Sequence, residues 1–417
     1  MRIKRMTQLP PVFVETTRQL MGEERFGLYL KSFEADVPVS IRLNPAKPIS
    51  HASPFIPHSA PVPWCEHGFY LSSRPNFTFD PLFHAGCYYV QEAASMFIHH
   101  ILSQQAFLSS LTAHHSPLAL LDLCAAPGGK STCAIAALPA GTELWSNEPV
   151  RQRASILSEN IQKWGYPGCH VTNSFPRDYV RSGMLFDIIL CDVPCSGEGM
   201  FRKDPKTIGE WSPQQVEKCW RLQREIVGNA WQCLRPGGII IYCTCTFNIK
   251  ENEENVRWMM EELGAELMPV ETHPEWNITG SLLPGFNGPV YRFIPGITRS
   301  EGLFVAVLRK PVAADNDSPS KRRDKTDLLK IIHSIDRYDS PEPTVDLNYQ
   351  TAISYLRGEA IALPADTPRG VVTVSFQGHA LGQVKNIGTR ANNLYPKEWR
   401  IKTTYIPEDY ETIFTTS

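Results

Sequence analysis

The sequence predicts an α/β protein whose central part is a parallel β-sheet flanked by helices, with a smaller module at each end. From residue 86 onward, short apolar runs typical of buried strands alternate with helical segments, as in βαβ units. The first run leads into a glycine turn at 122–130, and later runs lead into Asp192 and Cys245. Because carboxyl ends of parallel strands meet at one edge of a sheet, we expect these segments to form one site.

The elements of the central part follow one another at regular spacing. The unbroken apolar run 186–191 suits a central strand that is buried on both faces. Ser212 is followed by Pro213, and Gln215 lies three positions after Ser212. This pattern indicates a capping box at the start of a helix. The predicted strands are 118–123, 143–146, 186–191, 239–242 and 303–308, and the predicted helices are 130–138, 151–164 and one from 213 toward 234.

Composition divides the chain into four parts. A helix over 11–33 and a proline-rich stretch precede the regular alternation, whereas Asp, Ser, Pro and Lys-Arg-Arg replace apolar residues after 311. The last ninety or so residues contain strands of their own at 371–376 and 381–384. We therefore predict an N-terminal module at 1–85, a catalytic core at 86–311, a linker at 312–325 and a C-terminal domain at 326–417.

The bulk composition excludes several classes of protein. A formal net charge of −2 over 417 residues argues against a protein that coats nucleic acid with its whole surface, although a local basic groove remains open. The eleven cysteines are odd in number and lie in apolar runs, which favours a reduced, cytoplasmic compartment without disulfides. No run reaches the eighteen apolar residues of a membrane span. We therefore expect a protein that is neither embedded in a membrane nor exported.

The glycine turn has the features of a cofactor loop. A strand, a glycine turn and a helix start expose backbone N–H groups to a ligand carboxylate or phosphate. Glu148 lies at the end of the second strand, eighteen positions after Lys130, where a carboxylate can accept both hydroxyls of a ribose. The spacing of Gly128 and Gly129 is not that of the dinucleotide fingerprint, so NAD is disfavoured.

Two cysteines are candidates for nucleophilic chemistry. Cys195 and Cys245 both follow apolar strands at the edge where such sheets bind ligands. A thiolate beside an electrophilic cofactor can activate a ring carbon that lacks a lone pair, which points to C5 of a pyrimidine. The nucleophile needs a local positive potential, for which Lys130, Arg202 and Lys203 are candidates. Other cysteines are interpreted as small core residues: Cys124, Cys133, Cys169, Cys191, Cys219 and Cys233.

A zinc site built from the thiols at 191, 195, 243 and 245 is the competing hypothesis. Structural zinc sites favour C-x2-C spacing, which these four positions lack. We therefore expect no metal.

Several long motifs resemble those of the Nop/Sun family of RNA cytosine-5 methyltransferases, and the ends resemble the modules of its bacterial 16S ribosomal RNA branch. The resemblance implies an α/β, Rossmann-like, S-adenosylmethionine-dependent core with a mostly parallel seven-stranded sheet, a small N-terminal α+β module and a C-terminal PUA-like domain. The motifs are Asp122 to Lys130, Asp192-Val193-Pro194-Cys195 to Pro205, Tyr242 to Thr246, Ile41-Arg42-Leu43-Asn44-Pro45, Tyr355 to Glu359 and Arg390 to Pro396.

The resemblance also implies a role for each site residue. Cys245 would attack C6 of cytosine and form a covalent adduct, Cys195 would assist product release, and Asp192 would lie between cofactor and base, able to donate to N3. Glu148 would hold the ribose of S-adenosylmethionine. Phe175 stands where the family usually has an Asp that contacts the adenine. In this chain Ser174, a backbone group or stacking would supply that contact instead. The residues expected to wrap the cofactor are Cys124, Ala125, Ala126, Pro127, Gly128, Gly129 and Lys130.

The expected partner is RNA, most simply small-subunit ribosomal RNA bound by a monomer. The target base must be unpaired or flipped, and basic and aromatic residues of the ends are expected to contribute phosphate and stacking contacts. These are Lys321, Arg322, Arg323, Lys385, Arg390, Lys397 and Arg400 with Tyr395 and Trp399. Open alternatives are a tRNA cytosine-5 methyltransferase, a DNA cytosine-5 enzyme with Cys195 as nucleophile, a non-catalytic ribosome assembly factor and a metal-binding module.

Overall fold

A computed structural model describes residues 9–49, 59–112, 117–312, 325–335 and 344–403 of the chain. Most of the predicted linker, including Lys321, Arg322 and Arg323, therefore lies outside the described residues. No helix in the described part of the chain is long and apolar enough to cross a bilayer.

The N-terminal module consists of one long helix and a four-stranded sheet. The helix has a kink at Gly22, and the strand order is β2-β3-β1-β4 with antiparallel pairing throughout. Since β4 pairs with β1, the module extends beyond the predicted boundary at residue 85. Its elements are α1 (Pro11–Lys31), β1 (Val39–Leu43), β2 (Ala60–Val62), β3 (Cys65–Leu71), α2 (Pro81–His84) and β4 (Tyr88–Val90).

The central part alternates strands and helices as predicted. The helices are α3 (Phe97–Ser103), α4 (Gln105–Thr112), α5 (Gly129–Ala137), α6 (Arg151–Trp164), α7 (Pro176–Ser182), α8 (Lys206–Glu210), α9 (Pro213–Cys233) and α10 (Glu253–Leu263). The strands are β5 (Ala119–Asp122), β6 (Glu143–Asn147), β7 (Cys169–Thr172), β8 (Phe186–Asp192), β9 (Leu234–Thr244), β10 (Glu266–Met268), β11 (Tyr291–Phe293), β12 (Leu303–Arg309) and β13 (Ile331–Ile335).

These strands form a single nine-stranded sheet of order β10-β12-β9-β8-β5-β6-β7-β13, with β11 also paired to β12. The five strands from β9 to β7 are parallel, and β12 and β10 extend the sheet antiparallel. The path from β10 to β7 confirms the mostly parallel seven-stranded core. Strands β11 and β13 are additions to that path.

Strand β13 places residues 331–335 in the core sheet rather than in the C-terminal domain. It pairs antiparallel with β7, and Ile335 lies opposite Cys169. The predicted boundary at 326 is therefore too early. The domain that follows contains β14 (Thr344–Asp346), α11 (Tyr349–Leu356), β15 (Gly370–Phe376), β16 (His379–Asn386) and β17 (Ala391–Asn393), in the strand order β14-β15-β16-β17.

The central strands are buried on both faces, as their unbroken apolar runs predict. Leu120 and Ile188 belong to the core on one face of the sheet, and their neighbours Leu121 and Ile189 belong to the core on the other. The Ser212 hydroxyl accepts a hydrogen bond from the Gln215 amide at 3.1 Å and so caps α9. The Gln215 side chain instead donates to Cys219, so only half of the capping box forms.

The two end modules share one hydrophobic core, which the sequence does not predict. Ile41, Leu82 and Tyr88 of the N-terminal module belong to the same cluster as Tyr349 and Val374 of the C-terminal domain. The Tyr349 hydroxyl also donates to the Phe79 carbonyl at 3.1 Å. The two end modules are therefore joined to each other as well as to the central sheet.

Two of the predicted stacking aromatics contribute to packing instead. Tyr395 is buried, with its ring centroid 5.3 Å from that of Tyr355. Trp399 lies beside Tyr395, and the Lys163 ammonium lies over the Trp399 ring, 5.6 Å from its centroid. Tyr395 is thus unavailable for stacking on RNA.

Candidate active site

The glycine turn joins β5 to α5 at the carboxyl edge of the parallel strands. The Ala125 amide donates to the Asn147 carbonyl at 2.8 Å, and the Gly128 amide donates back to the Ala125 carbonyl at 2.7 Å. Gly128 has a φ of 109°, in the left-handed region that favours glycine. The Ala126–Pro127 peptide is cis. The turn thus leaves the N-terminal end of α5 free to face a ligand, as a cofactor loop requires.

Side chains from α6 and β4 hold this loop from outside. Arg153 donates to the Ala126 carbonyl at 3.0 Å, and Asn160 donates to the Pro127 carbonyl at 2.8 Å. The Tyr89 hydroxyl reaches the same Pro127 carbonyl at 3.2 Å. The sequence interpretation missed Arg153 and Asn160, although both lie on α6, about two helical turns apart and therefore on the same face of the helix.

A buried arginine of the N-terminal module supports the helix behind the loop. Arg42 is 0% exposed, and its guanidinium donates to the Gln91 amide oxygen at 2.8 Å and to the Thr132 hydroxyl at 2.7 Å. Its central carbon lies 4.3 Å from the ring centroid of Trp164. The N-terminal module is thereby joined to α5, the helix that opens at the cofactor loop.

Glu148 lies at the end of β6, where the ribose-binding carboxylate was predicted. It is 2% exposed, and its carboxylate accepts from the Val150 amide at 2.9 Å and pairs with Arg153 at 3.2 Å. A carboxylate has about four acceptor positions. Two remain for ribose hydroxyls, so the residue fits the predicted role.

Phe175 is the N-cap residue of α7, close to the end of β7, and is 54% exposed. The Arg177 guanidinium lies 5.3 Å from its ring centroid. The Ser174 hydroxyl is buried and accepts from the Lys330 amide at 2.9 Å, just before β13. Of the replacements considered for the adenine contact, this geometry favours stacking on the exposed ring over a hydrogen bond from Ser174.

The two candidate thiols meet at the same edge of the sheet. The Sγ atoms of Cys195 and Cys245 lie 3.2 Å apart, and the Cys245 amide donates to the Cys195 sulfur at 3.3 Å. The hydrogen bond with Cys245 and burial together raise the pKa of Cys195 well above that of a free thiol. Burial and this contact therefore favour the protonated form of Cys195, and either thiol can be the donor between the two sulfur atoms.

Lys130 and Asp192 form an ion pair between the cofactor loop and the thiols. The Lys130 ammonium donates to Asp192 Oδ2 at 2.9 Å. Burial alone lowers the pKa of Lys130, but the negative charge of Asp192 and its hydrogen bond outweigh that effect and raise it. Asp192 Oδ2 accepts the hydrogen bond in this pair, and the predicted contact of Asp192 with N3 of the base stays a prediction.

Of the three cations proposed to activate Cys245, only Lys130 occupies a suitable position. A negative charge on the Cys245 sulfur would interact with the Lys130 ammonium. Arg202 instead pairs with Glu301 at 3.0 Å, and Lys203 is exposed.

A buried polar network fixes the two loops that carry the cysteines. Glu251 accepts from the Ser196 amide at 3.0 Å, and Asn248 donates to Glu251 at 2.8 Å and to Glu198 at 3.1 Å. Glu198 also accepts from the Phe247 amide at 2.7 Å. Because residues after Cys195 and residues after Cys245 bond to each other, the sulfur atoms are held together. The sequence interpretation did not assign Asn248 to the site.

Asp122 is a further buried carboxyl that the sequence interpretation left without a role of its own. Its Oδ2 atom accepts from the Ser131 hydroxyl at 2.6 Å, and burial raises its pKa to about 7. The negative charge of Asp192 contributes to the same shift. Asp122 thus joins β5 to α5 beneath the cofactor loop.

The four thiols considered for zinc are not gathered into one site. Among the described residues, the one group of three or more metal-ligating side chains close together is Glu66, His67 and His99, whose ligand atoms lie within 4.8 Å of one another. That group lies on β3 and α3 and includes neither Cys195 nor Cys245.

Comparison with solved structures places this architecture in one class. An NSun6 structure from Pyrococcus horikoshii, titled as determined with SFG, superposes with a TM-score of 0.60 at 21% identity and covers 73% of this chain and 99% of that chain. A methyltransferase homologue from the same organism superposes with a TM-score of 0.57 at 23% identity, covering 72% and 100%. The fold is that of the Rossmann-like methyltransferases.

Sequence comparison identifies the family within that class. Residues 110–309 match the model of the 16S rRNA methyltransferase RsmB/F, residues 9–93 that of the N-terminal domain of 16S rRNA methyltransferase RsmF, and residues 342–401 that of the methyltransferase RsmF PUA domain. The chain belongs to the RsmB/F family of 16S rRNA methyltransferases. This confirms the resemblance inferred from the motifs, and with it S-adenosylmethionine as the cofactor.

Curated relatives agree with this assignment. Ribosomal RNA small subunit methyltransferase F of Escherichia coli O139:H28 is 33% identical over 324 residues, and that of Shigella boydii serotype 18 is 34% identical over the same length. Each match covers 73% of this chain and 64% of the relative. The chain thus spans less than two thirds of the relatives that it matches.

Proposed function

We propose that this chain transfers a methyl group from S-adenosylmethionine to C5 of a cytosine in small-subunit ribosomal RNA, through a covalent adduct with Cys245. The main support is the 3.2 Å contact between the Cys195 and Cys245 sulfur atoms, at the sheet edge that also carries the cofactor loop. Bound S-adenosylmethionine would supply an electrophilic methyl group at that edge. The residues of the chain account for the remaining steps.

Cys245 acts first, as a thiolate. Its sulfur forms a bond to C6, and the electrons of the C5–C6 double bond move to C5 and, through C4, to N3, which makes C5 nucleophilic. The proton donated by Cys195 and the ammonium of Lys130 stabilise the thiolate before attack. Asp192, paired with Lys130 at 2.9 Å, accepts a hydrogen bond from the exocyclic amine of cytosine, while Lys130 supplies a positive charge to the electron-rich ring.

Cys195 acts after methyl transfer. Once the Cys245 sulfur is bound to carbon, it is no longer a thiolate, and the hydrogen bond that raises the Cys195 pKa is lost. Cys195 then loses its proton to solvent and takes the proton from C5. The C5–H electrons restore the C5–C6 double bond, the C6–sulfur bond breaks, and Cys245 leaves as a thiolate.

The two end modules hold the RNA so that a base can leave its stack. Unstacking costs a few kcal/mol, which contacts outside the active site must recover. We assign RNA binding to the N-terminal module and to the PUA domain, which share one hydrophobic core and so act as a single support.

The test uses wild-type protein, Cys245→Ala and Cys195→Ala with S-adenosylmethionine and either unmodified small ribosomal subunits or tRNA. Bisulfite sequencing maps 5-methylcytosine, and denaturing gels detect RNA retained on protein. We expect one new site in ribosomal RNA with wild type, none with Cys245→Ala, and trapped RNA with Cys195→Ala. Methylation by Cys245→Ala would refute the role of Cys245 as the nucleophile. Methylation of tRNA alone would show that tRNA, and not ribosomal RNA, is the substrate. An inactive wild type would favour an assembly factor.

A further inference from the structure

The segment between β11 and β12 lies beside the catalytic thiols. Phe304 of β12 pairs with Thr244 of β9, so the residues just before β12 lie next to Cys245. The Gly199 amide donates to the Cys245 carbonyl at 2.8 Å, and a Cβ atom at Gly199 would lie 2.9 Å from the Glu301 carbonyl oxygen. One glycine therefore contacts both the nucleophile's backbone and residue 301.

Two hollows open on either side of Arg299 in this segment. The first has a volume of about 290 Å³ and is lined by both modules, including Ser32, Asp36, Arg202, Thr298 and Ser300. The second has a volume of about 270 Å³ and is lined by apolar and aromatic side chains, including Pro61, Trp64, Tyr70 and Trp276. We call the two hollows with Arg299 between them the seam groove, because they follow the junction of the N-terminal module with the core.

Arg299 offers a stacked, exposed cation to this groove. Its guanidinium carbon lies 4.0 Å from the Tyr70 ring centroid, and the Tyr70 hydroxyl donates to the Arg299 carbonyl at 2.8 Å. Among the described residues, no carboxylate forms an ion pair with Arg299. A guanidinium fixed on an aromatic ring is a surface on which a nucleobase stacks and to which a phosphate binds.

Two buried donors in the first hollow have no acceptor within the described part of the chain. They are the Ser300 hydroxyl, in a residue that is 2% exposed, and Nε of Arg202, whose side chain is 6% exposed. The other end of the Arg202 guanidinium is held by Glu301 at 3.0 Å. Buried polar groups in native proteins are nearly always paired, so two unpaired donors in one hollow indicate a ligand that supplies acceptors.

We propose that the seam groove binds the single-stranded RNA that flanks the target cytosine. A phosphate accepts from Ser300, Arg202 and Arg299, and a flanking base stacks against the Arg299–Tyr70 pair and enters the aromatic hollow. Asp36 and Glu275 line the two hollows and, with Glu301 beside Arg202, repel phosphate, so the phosphate is expected nearest to Arg299. This inference rests on the proposed function in one respect, the identity of the reacting base.

RNA affinity tests the groove independently of methyl transfer. The full chain, without cofactor, is titrated with a single-stranded oligoribonucleotide containing one cytosine, over a range of salt concentrations. Arg299→Ala is expected to weaken binding several-fold and to lower the slope of log affinity against log salt by about 0.7, the value for one phosphate contact on a single strand. Arg257→Ala, an exposed arginine of α10 that lies near Glu261, is the matched control and should bind as wild type.

Ser300→Ala separates a ligand contact from a structural role. Removing an unpaired buried hydroxyl should leave Tm unchanged or raise it, yet RNA affinity should fall without a change in the salt slope. The proposal is overturned if wild type does not bind the oligonucleotide, or if both groove variants bind as tightly as wild type. If wild type binds with this dependence on Arg299 but methylates no RNA, the groove stands and the proposed function fails.

Discussion

Cys195 and Cys245 are fifty positions apart in the chain, yet their sulfur atoms lie 3.2 Å from each other. Each follows a strand of the parallel sheet, β8 or β9, and these strands are neighbours whose register pairs Asp192 with Cys243. The contact between the two sulfur atoms therefore results from strand pairing, and the hydrogen bonds around Asn248 fix the loops that carry the two cysteines. The proposed mechanism requires one thiol to be protonated while the other is charged.

The reactivity of Cys195 should depend on Cys245. The hydrogen bond with Cys245 is the largest cause of the raised Cys195 pKa, so Cys245→Ala should lower that pKa. Alkylation of Cys195 by iodoacetamide, followed by mass spectrometry across pH, should therefore become faster at neutral pH in the variant. Cys233→Ala, which removes a buried thiol outside the active site, should leave the rate unchanged. An unaltered pH profile in Cys245→Ala would show that burial alone controls Cys195.

Arg42 should control both stability and cofactor affinity. Arg42→Met keeps much of the side-chain volume but leaves the Gln91 oxygen and the Thr132 hydroxyl without their donor, at a cost of about 1–3 kcal/mol for each group left unsatisfied. Urea unfolding should show this loss, and calorimetry should show weaker S-adenosylmethionine binding because α5 is no longer supported. Arg74→Met is the control, since Arg74 also lies over an aromatic ring, that of Phe77, but is exposed. Equal effects of the two substitutions would contradict this role.

Asp122 should make stability depend on pH. Burial raises its pKa in the folded protein to about 7, above the ordinary value in the unfolded chain, so the folded state binds the proton more tightly. Its contribution to stability is complete below the unfolded pKa and is lost as pH rises through about 7. Asp122→Asn cannot ionise, so its free energy of unfolding relative to wild type should increase from pH 5 to pH 8, by on the order of 3 kcal/mol.

Urea unfolding at the two pH values measures this difference directly. Asp366→Asn, at an exposed position of the C-terminal domain, provides the control, and its difference from wild type should stay constant. A constant difference for Asp122→Asn as well would mean that Asp122 titrates normally in the folded protein.

Phe175 should contribute to cofactor binding and little to stability. The ring is 54% exposed, and substitutions at such surface positions usually change the free energy of unfolding by less than about 0.5 kcal/mol. Phe175→Ala should nevertheless weaken S-adenosylmethionine binding, whereas Phe175→Tyr should preserve it because the stacking surface remains. Ile156→Ala, at another exposed apolar residue, should bind the cofactor as wild type. Normal binding by Phe175→Ala would exclude a stacking role.

Much of the core could be predicted because its signals are local. Unbroken apolar runs, helical periodicity and the Ser212–Pro213 start each depend on a few adjacent residues, and β5, α5, α6, β8 and α9 fall within a few positions of their predicted limits. Strand ends in a parallel sheet meet at one edge, so the cofactor loop, Asp192, Cys195 and Cys245 could be assigned to a common site before their distances were known.

The elements that differ are those whose structure depends on distant partners. Residues 331–335 form an edge strand because they pair with β7, more than 150 positions earlier, and nothing within the segment itself indicates that partner. Likewise, β4 belongs to the N-terminal sheet because it pairs with β1. The ion pair between Lys130 and Asp192 could not be predicted either, because it forms only in the folded chain.

Sequence alone determined the fold class, the family and the residues at the strand ends, because local patterns and long motifs carry that information. Tertiary structure alone decided which of those residues form ion pairs, that the two thiols meet, and which residues with unpaired buried donors line a hollow. Arg42, Asn248, Arg202 and Ser300 acquired their roles only there. The physical reason is that burial and hydrogen-bond pairing depend on groups that the chain brings together from distant positions, and these set the charge state and binding capacity of each side chain.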